Sequence, residues 1–297
     1  MRIITKDDIM VLIQLLLNGI IAGGIYALIA IGFNMSYGLL RFLNIAHGAL
    51  FMLGAYFAYL FFSMGMFIVI AGLIAIIIVG FIGLGIDRFI YRQLRKNKAS
   101  ALILMLASFA ILVLLENLVL AVFGADVKTI RTGPVQQGLE FFGAYITPIQ
   151  IMIIVVSILT MVSVFLFLRR TKLGKAMRAT ADNKDVAQVI GIDTDKIIIY
   201  VAFIAAILAA LAGVLVGIEQ NLEPTMGFFA VINGLIAAVV GGAGSVRGAV
   251  AGGFLLGIAE NIGVWFVPSG FKLAIAFTIL IVFLIFRPKG IFGDRFD

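Results

Sequence analysis

The sequence has no cysteine and a single histidine, His47. That excludes disulfides, thiolate catalysis and any metal site built from Cys or paired His ligands. Charge is scarce as well. Asp, Glu, Lys and Arg together make 12% of 297 residues, where a soluble domain carries about 25%. A chain so poor in charge cannot cover itself against water, so no sizeable aqueous domain is expected. The G-x-x-x-x-G-K-[ST] phosphate loop is also missing: Gly174-Lys175 is followed by Ala176, and Arg169 stands where the motif needs its first glycine. No nucleophile elbow or zincin motif occurs, so ATP binding by that loop and the familiar hydrolase chemistries are not expected of this chain.

What fills the chain is hydrocarbon. Hydrophobic residues make 63% of it, and its mean hydropathy is +1.20. A helix needs roughly 20 apolar residues to cross the bilayer. Apolar segments fall at about 9–33, 42–62, 67–86, 101–123, 148–168, 197–219, 228–241, 248–266 and 272–286. The 33 glycines are spread through them, as where membrane helices approach closely. The expectation is an all-α polytopic membrane protein of about 8–9 transmembrane or partly re-entrant helices, with residues 1–297 as one bundle. The run from Ile9 is too long for a signal peptide and lacks an A-x-A exit.

The net charge of +7 reflects clustered basic loops rather than a nucleic-acid surface. One cluster holds Arg88, Arg92, Arg95, Lys96 and Lys98. A second, the 169–196 loop, holds Arg169, Arg170, Lys172, Lys175, Arg178, Lys184 and Lys196. The tail holds Arg287, Lys289 and Arg295. An even number of crossings separates each from the others, so the positive-inside rule puts all three in the cytoplasm and the 124–147 loop outside. The front end is open. Arg2 and Lys6 are offset by Asp7 and Asp8, and the N-terminus lies outside if 42–62 crosses fully, inside if it is re-entrant.

An internal echo joins the two ends. Asn18-Gly19-Ile20-Ile21-Ala22 resembles Asn233-Gly234-Leu235-Ile236-Ala237. Each precedes a polar interruption in apolar text: Asn44, His47 and Gly48, with Gly54 beyond, in the first; Gly242, Gly244 and Ser245 in the second. Paired interrupted segments point to a transport pathway, and chance matching in Ala/Gly/Ile-rich text is the other reading. Asn44 and His47 either border that pathway or hydrogen-bond neighbouring helices. Glu116, Glu219 and Glu260 fall toward the outer ends of their spans, as vestibule charges or as structural ones.

The 169–196 loop has the makings of a short amphipathic helix at about 180–190. Thr180 or Asp182 is the expected cap, Asp185 suits the helix dipole, Val186, Val189 and Ile190 form an apolar stripe, and Gly191 suits a left-handed stop. It reads either as a helix lying on lipid headgroups or as a docking lever for another protein.

Several motifs bear on that choice. Gly174-Lys175-Ala176-Met177-Arg178-Ala179-Thr180-Ala181-Asp182, continuing to Gly191-Ile192-Asp193, resembles the cytoplasmic coupling segment of the branched-chain amino acid ABC importer permeases. Ile25-Tyr26-Ala27-Leu28-Ile29-Ala30-Ile31-Gly32, Asn44-Ile45-Ala46-His47-Gly48, Gly241-Gly242-Ala243-Gly244-Ser245 and Arg287-Pro288-Lys289-Gly290-Ile291-Phe292-Gly293 resemble the same family in the same order, over about 12–293. Of the two permease types in such systems this chain resembles the shorter.

The resemblance implies a non-enzymatic permease subunit in the bacterial or archaeal cytoplasmic membrane. Its partners would be a second permease, two cytoplasmic ATPases that bind ATP and Mg, and an extracytoplasmic substrate-binding protein. It implies a branched-chain or related amino acid as cargo, with related permeases carrying urea or short amides. It makes Gly174, Met177, Arg178, Ala179, Thr180, Asp182, Asp185, Val186, Ala187 and Gly191 the ATPase-coupling residues. This chain departs from the pattern at Arg247, where the family usually has proline, at Arg41, and at Asn34 and Ser36. The rival from another class is a self-sufficient transporter driven by an ion gradient.

Overall fold

A computed structural model describes residues 6–131, 138–141 and 143–293; Arg2 and Arg295 lie outside them. In chain order the helices are α1 (Lys6–Leu40), α2 (Ala46–Ser63), α3 (Ile68–Ile86), α4 (Arg92–Lys96), α5 (Ala101–Phe123), α6 (Pro148–Arg170), α7 (Lys172–Asp182), α8 (Lys184–Val189), α9 (Thr194–Glu219), α10 (Met226–Gly241), α11 (Val246–Gly263) and α12 (Lys272–Phe286). Two short strands, β1 (Leu139–Phe141) and β2 (Ala144–Ile146), pair antiparallel between α5 and α6. Among the described residues seven helices are long and apolar enough to cross a membrane, and α10 with α11 forms a further pair bent by 116°. The chain is therefore an integral, all-helical membrane protein, as its hydropathy leads one to expect.

The three basic segments meet at one end of the bundle. Arg92 on α4 faces Asp195 on α9 at 3.5 Å. Arg41, at the end of α1, donates to the carbonyl of Ala181 on α7 at 2.8 Å. The tail pairs with the end of α10 through Ile291 N–H to Val240 O and Phe292 N–H to Gly241 O, both at 3.0 Å. The positive-inside rule makes this end cytoplasmic. At the opposite end Gln14 of α1 exchanges two hydrogen bonds with the backbone of Tyr145 in β2, at 3.0 and 2.7 Å. So α1 starts beside the 124–147 loop and ends beside α7, and on the positive-inside assignment it runs once through the bundle from outside to inside.

The connection between α1 and α2 is the most irregular stretch at membrane depth. Arg41 takes a left-handed φ of 55°, uncommon for a residue with a Cβ. The chain then climbs back along α1, so that His47 Nε2 sits 3.2 Å from the carbonyl oxygen of Ile29. Backbone groups outside a helix have no water to bind at this depth and must be satisfied by protein. Ser108 on α5 does so: its hydroxyl accepts from Ile45 N–H at 3.0 Å while donating to Met105 O at 2.7 Å. Tyr91 donates to Asn44 Oδ1 at 2.8 Å. Tyr91 reaches there from a π-helical turn, Asp87–Tyr91, between α3 and α4. Arg95 closes that turn with a two-pronged bond to the buried Asp87, at 2.7 and 3.1 Å.

α1, α2, α9, α10 and α11 form the packed centre, and glycines set their spacing. A Cβ on Gly253 would lie 2.6 Å from Ala27 Cα, and one on Gly23 would lie 2.8 Å from Phe254 Cα, so α11 lies backbone against backbone along α1. Small residues permit this, and dispersion between the closely apposed backbones holds it. The flanking helices α5, α6 and α12 leave rows of large apolar side chains uncovered, such as Leu114, Leu159 and Ile285.

Candidate transport site and coupling segment

A cavity of about 440 Å³ enters the bundle from the outer end between α1, α2, α9 and α10. The exposed Gln220, Asn221 and Glu223, on the connection from α9 to α10, mark its mouth. Leu222 in that connection is buried and trades backbone hydrogen bonds with Lys128 of the outer loop, at 3.1 and 2.8 Å, which holds the mouth in place. Ile29 and Phe51, both buried, form the deep end. Below them the helices close: Gly234 rests on Ile29, Gly227 on Gly48, and Gly32 on the ring of His47. Further in, Asn34 bridges the carbonyls of Gly242 and Ser245 at 3.1 and 2.8 Å and seals the break between α10 and α11. Gly242 and Gly244 there have φ of +121° and +88°, which a residue with a Cβ would strain to adopt. The cavity is thus open at the end of the bundle that holds β1 and β2 and shut toward the end that holds α7 and α8.

One polar group of side chains stands in the apolar wall. Tyr26 OH donates to Glu260 Oε2 at 2.8 Å and accepts from Asn233 Nδ2 at 3.3 Å. Glu260 is 1% exposed and lies behind Tyr26; Tyr26 and Asn233 line the cavity itself. Of the other two outer glutamates, Glu219 accepts from Gln150 Nε2 at 3.1 Å, a bond between α9 and α6, whereas Glu116 Oε1 has no hydrogen-bond partner.

The residues expected to border a pathway are dispersed. Asn44 and His47 share a void of only about 20 Å³ on the inner side of the closure. Gly48 meets α10, Gly54 lies so close to Ala210 that a Cβ would approach its Cα to 2.6 Å, and Gly242, Gly244 and Ser245 form the α10–α11 break. None of the seven lines the outer cavity; Gly48 belongs to its closure. Tyr26, Glu260 and Asn233 stand far apart in sequence, and only the echo motif drew attention to Asn233.

The 169–196 segment differs from expectation in two respects. It is two helices with a break at Asn183 instead of one helix over 180–190. Neither Thr180 nor Asp182 caps it. Thr180 donates back to Ala176 O at 2.8 Å inside α7, and Asp182 is the last residue of α7. Asn183 caps α8 instead, its Oδ1 accepting from the N–H groups of Asp185 and Val186, both at 3.0 Å. The far end is as expected: Gly191, at φ +88°, donates to Gln188 O, and Ile192 N–H reaches Ala187 O at 2.9 Å, a Schellman stop. The next helix, α9, is capped by Asp193, whose carboxyl is held below the ordinary carboxylate range by the Lys196 N–H it accepts.

The residues expected to meet an ATPase divide by exposure. Gly174, Met177, Thr180 and Ala187 face the protein, and Gly174 lets α7 press against the backbone of Leu168. Arg178 and Ala179 are half-buried, whereas Asp182, Asp185, Val186 and Gly191 are exposed. With Val189 at 86% and Ile190 at 66% exposure, α8 turns an apolar tip away from the bundle. Beside it a cleft of about 400 Å³ runs under Arg41, Arg95 and Lys184.

A helical bundle in the bilayer, with a cavity open to one face and a capped apolar tip on the other, defines a polytopic membrane permease. Residues 15–284 match the family described as "Branched-chain amino acid transport system / permease component", and the chain belongs to that family. It is 35% identical to the high-affinity branched-chain amino acid transport system permease protein LivH of Escherichia coli K12, over 97% of both chains. It is 37% identical to the corresponding protein BraD of Pseudomonas aeruginosa, over 95% of both. A probable LivH of Methanocaldococcus jannaschii is 29% identical over 94% of this chain and 92% of its own length. Among solved structures, PsaBC from Streptococcus pneumoniae in complex with Fab shares the fold, with a TM-score of 0.50 at 16% identity over 94% of this chain and 91% of that one. Proteins of this family are transport subunits rather than enzymes, and they work with separate ATPase and substrate-binding proteins.

Proposed function

We propose that this chain is the permease subunit of an ATP-driven importer for branched-chain or related amino acids in a bacterial or archaeal cytoplasmic membrane. It pairs with a second permease, and two cytoplasmic ATPases power the pair. A binding protein delivers cargo to the outer mouth between Gln220 and Glu223. The observation that carries the reading is the apolar tip of α8: Val189 and Ile190 project from the bundle at the end that gathers the basic loops, as an apolar patch for a partner does. An ATPase groove is the partner this reading assigns. Gly174, Met177, Thr180 and Ala187 anchor the lever to the bundle, while Asp182, Asp185, Val186 and Gly191 meet the partner, with Arg178 and Ala179 at the seam. Motion of the docked helix then acts on the helix contacts that close the cavity, since packed cores switch between discrete arrangements.

The test is reconstitution in liposomes with and without the partner subunits. Leucine uptake should require ATP, the ATPases and loaded binding protein. Uphill uptake by this chain alone on an ion gradient would overturn the reading.

A further inference from the structure

Two cations share one aromatic ring at the end of the bundle that gathers the basic loops. Arg169, in the last turn of α6, holds its Cζ over the Phe165 ring, 5.0 Å from the centroid. Arg247, in the first turn of α11, holds its Cζ over the same ring at 5.3 Å. The two guanidinium carbons are therefore no further apart than about 10 Å, within the distance over which salt leaves exposed charges unscreened. The ring attracts each cation, and the cations repel each other. An anion within reach of both relieves that repulsion, and guanidinium forks match the paired oxygens of a phosphate. α6 carries no acidic residue, and the acid of α11, Glu260, stands at its far end. Arg169 is exposed and Arg247 half-buried, so an outside group can reach both. Depth and surroundings narrow the choice of anion. α6 has 23 residues and is about 34 Å long, which brings Arg169 from the hydrocarbon to headgroup level. Val155, Leu159, Val162 and Leu166 form one exposed stripe along α6 at helical spacing, and the stripe ends at Arg169.

We propose that Phe165, Arg169 and Arg247 form a seat for an anionic phospholipid, with its phosphodiester on the two guanidiniums and an acyl chain along the α6 stripe. Basic pockets between membrane helices at the cytoplasmic face hold lipid headgroups in this way. The cations alone would serve any phosphate; the apolar stripe that leads to them makes the ligand a lipid. The seat does not depend on what the chain transports. Its position gives the lipid something to hold. Thr171, directly after α6, caps α7 by accepting from Gly174 N–H at 2.9 Å. Ser245, two residues before Arg247, caps α11 by accepting from Gly248 N–H at 3.0 Å. α6 and α11 both pack on α1, and a lipid across their ends ties the root of α7 to the α10–α11 break.

The test is a lipid titration of the purified full-length chain in detergent, with bound lipid counted by native mass spectrometry. Dioleoylphosphatidylglycerol should be retained more tightly than dioleoylphosphatidylcholine, which has the same chains and no net charge. Arg169→Gln and Arg247→Gln should each weaken retention of phosphatidylglycerol roughly fivefold, the worth of one cation beside an anionic headgroup. Arg247→Lys, which keeps a cation at the ring, should retain most of it. Arg170→Gln removes the exposed cation next in sequence and should leave retention unchanged. Inorganic phosphate at the lipid's concentration should displace nothing, having no chain to lay along α6. Equal retention of the two lipids, a loss in Arg170→Gln as large as in Arg169→Gln, or displacement by inorganic phosphate would overturn the seat. So would a dimer of the chain that excludes phosphatidylglycerol, because the α6 stripe would then be a protein interface.

Discussion

Arg41 Nη2 donates to the carbonyl oxygen of Ala181 at 2.8 Å, and this bond ties the inner end of α1 to the last turn of α7. α1 supplies one wall of the outer cavity and α7 leads into the apolar tip, so the bond joins the two ends of the proposed mechanism. Arg41 holds a left-handed φ of 55° to make it. Arg41→Gly separates the two contributions, since glycine takes that backbone conformation without strain and removes only the side chain. A hydrogen bond at an exposed position contributes about 0.5–1.5 kcal/mol, so ATP-driven uptake should fall roughly two- to tenfold with insertion unchanged. Uptake and ATP turnover per solute, measured together, check this, and an unchanged ratio would dismiss the strut.

Asn183 makes a second prediction. α8 has only six residues, too few to persist without its cap, and Asn183 satisfies two of its free N–H groups. Asn183→Ala should cost the segment about 1 kcal/mol and speed amide exchange over 184–190, while Asn183→Asp or Asn183→Ser should restore it. Recovery of the ATPase subunits by affinity capture should follow the same order. Unaltered exchange in Asn183→Ala would show that the bundle, not the cap, holds α8.

Much of this was legible in the sequence, and what was not has physical causes. Hydropathy and the three basic loops carry span and sidedness information locally, so the helices and cytoplasmic end follow from them. The cap was misplaced because Thr180, Asp182 and Asn183 are all competent capping residues. Only the burial of Met177 and Thr180, which keeps α7 running to Asp182, decides among them. The cavity was out of reach for another reason. Tyr26 meets Asn233 across 207 residues and Glu260 across 234, and no local pattern encodes such a meeting. Asn44 and His47 drew attention as polar residues in apolar text. In the fold Asn44 accepts from Tyr91 and His47 meets the Ile29 carbonyl, contacts at the irregular start of α2 that no local pattern announces.

Glycines show the same ambiguity and give a paired prediction. Gly48 and Gly85 both sit in or beside apolar helical text, yet a Cβ on Gly48 would strike the backbone of Gly227, and one on Gly85 would meet nothing closer than Phe89 Cδ2 at 4.0 Å. Gly48→Ala must push α2 and α10 apart, an overpacking that costs typically 1–3 kcal/mol. Gly85→Ala should be neutral or slightly stabilising, since alanine is the better helix former by about 1 kcal/mol. Thermal unfolding in detergent checks both. Because the Gly48 contact also belongs to the closure beneath the cavity, Gly48→Ala should lose uptake even at temperatures where it stays folded.

The sidedness of the N-terminus gives the last prediction. α1 has 35 residues and is therefore about 52 Å long, far more than the roughly 30 Å of hydrocarbon it must cross. With Gln14 bound to the backbone of Tyr145 in the 124–147 loop and Ile9 49% exposed, the excess length is expected at the start of the helix, outside the hydrocarbon. In intact cells Ile9→Cys should react with a membrane-impermeant thiol reagent added outside, while Lys184→Cys, on α8 at the opposite end, should react only after the membrane is opened. A full exchange of the two results would invert the bundle and place α8 beyond the reach of any cytoplasmic ATPase. Protection of Ile9→Cys from both sides would instead mean that the start of α1 is covered, as it would be by a partner subunit seated over the Gln14–Tyr145 contact.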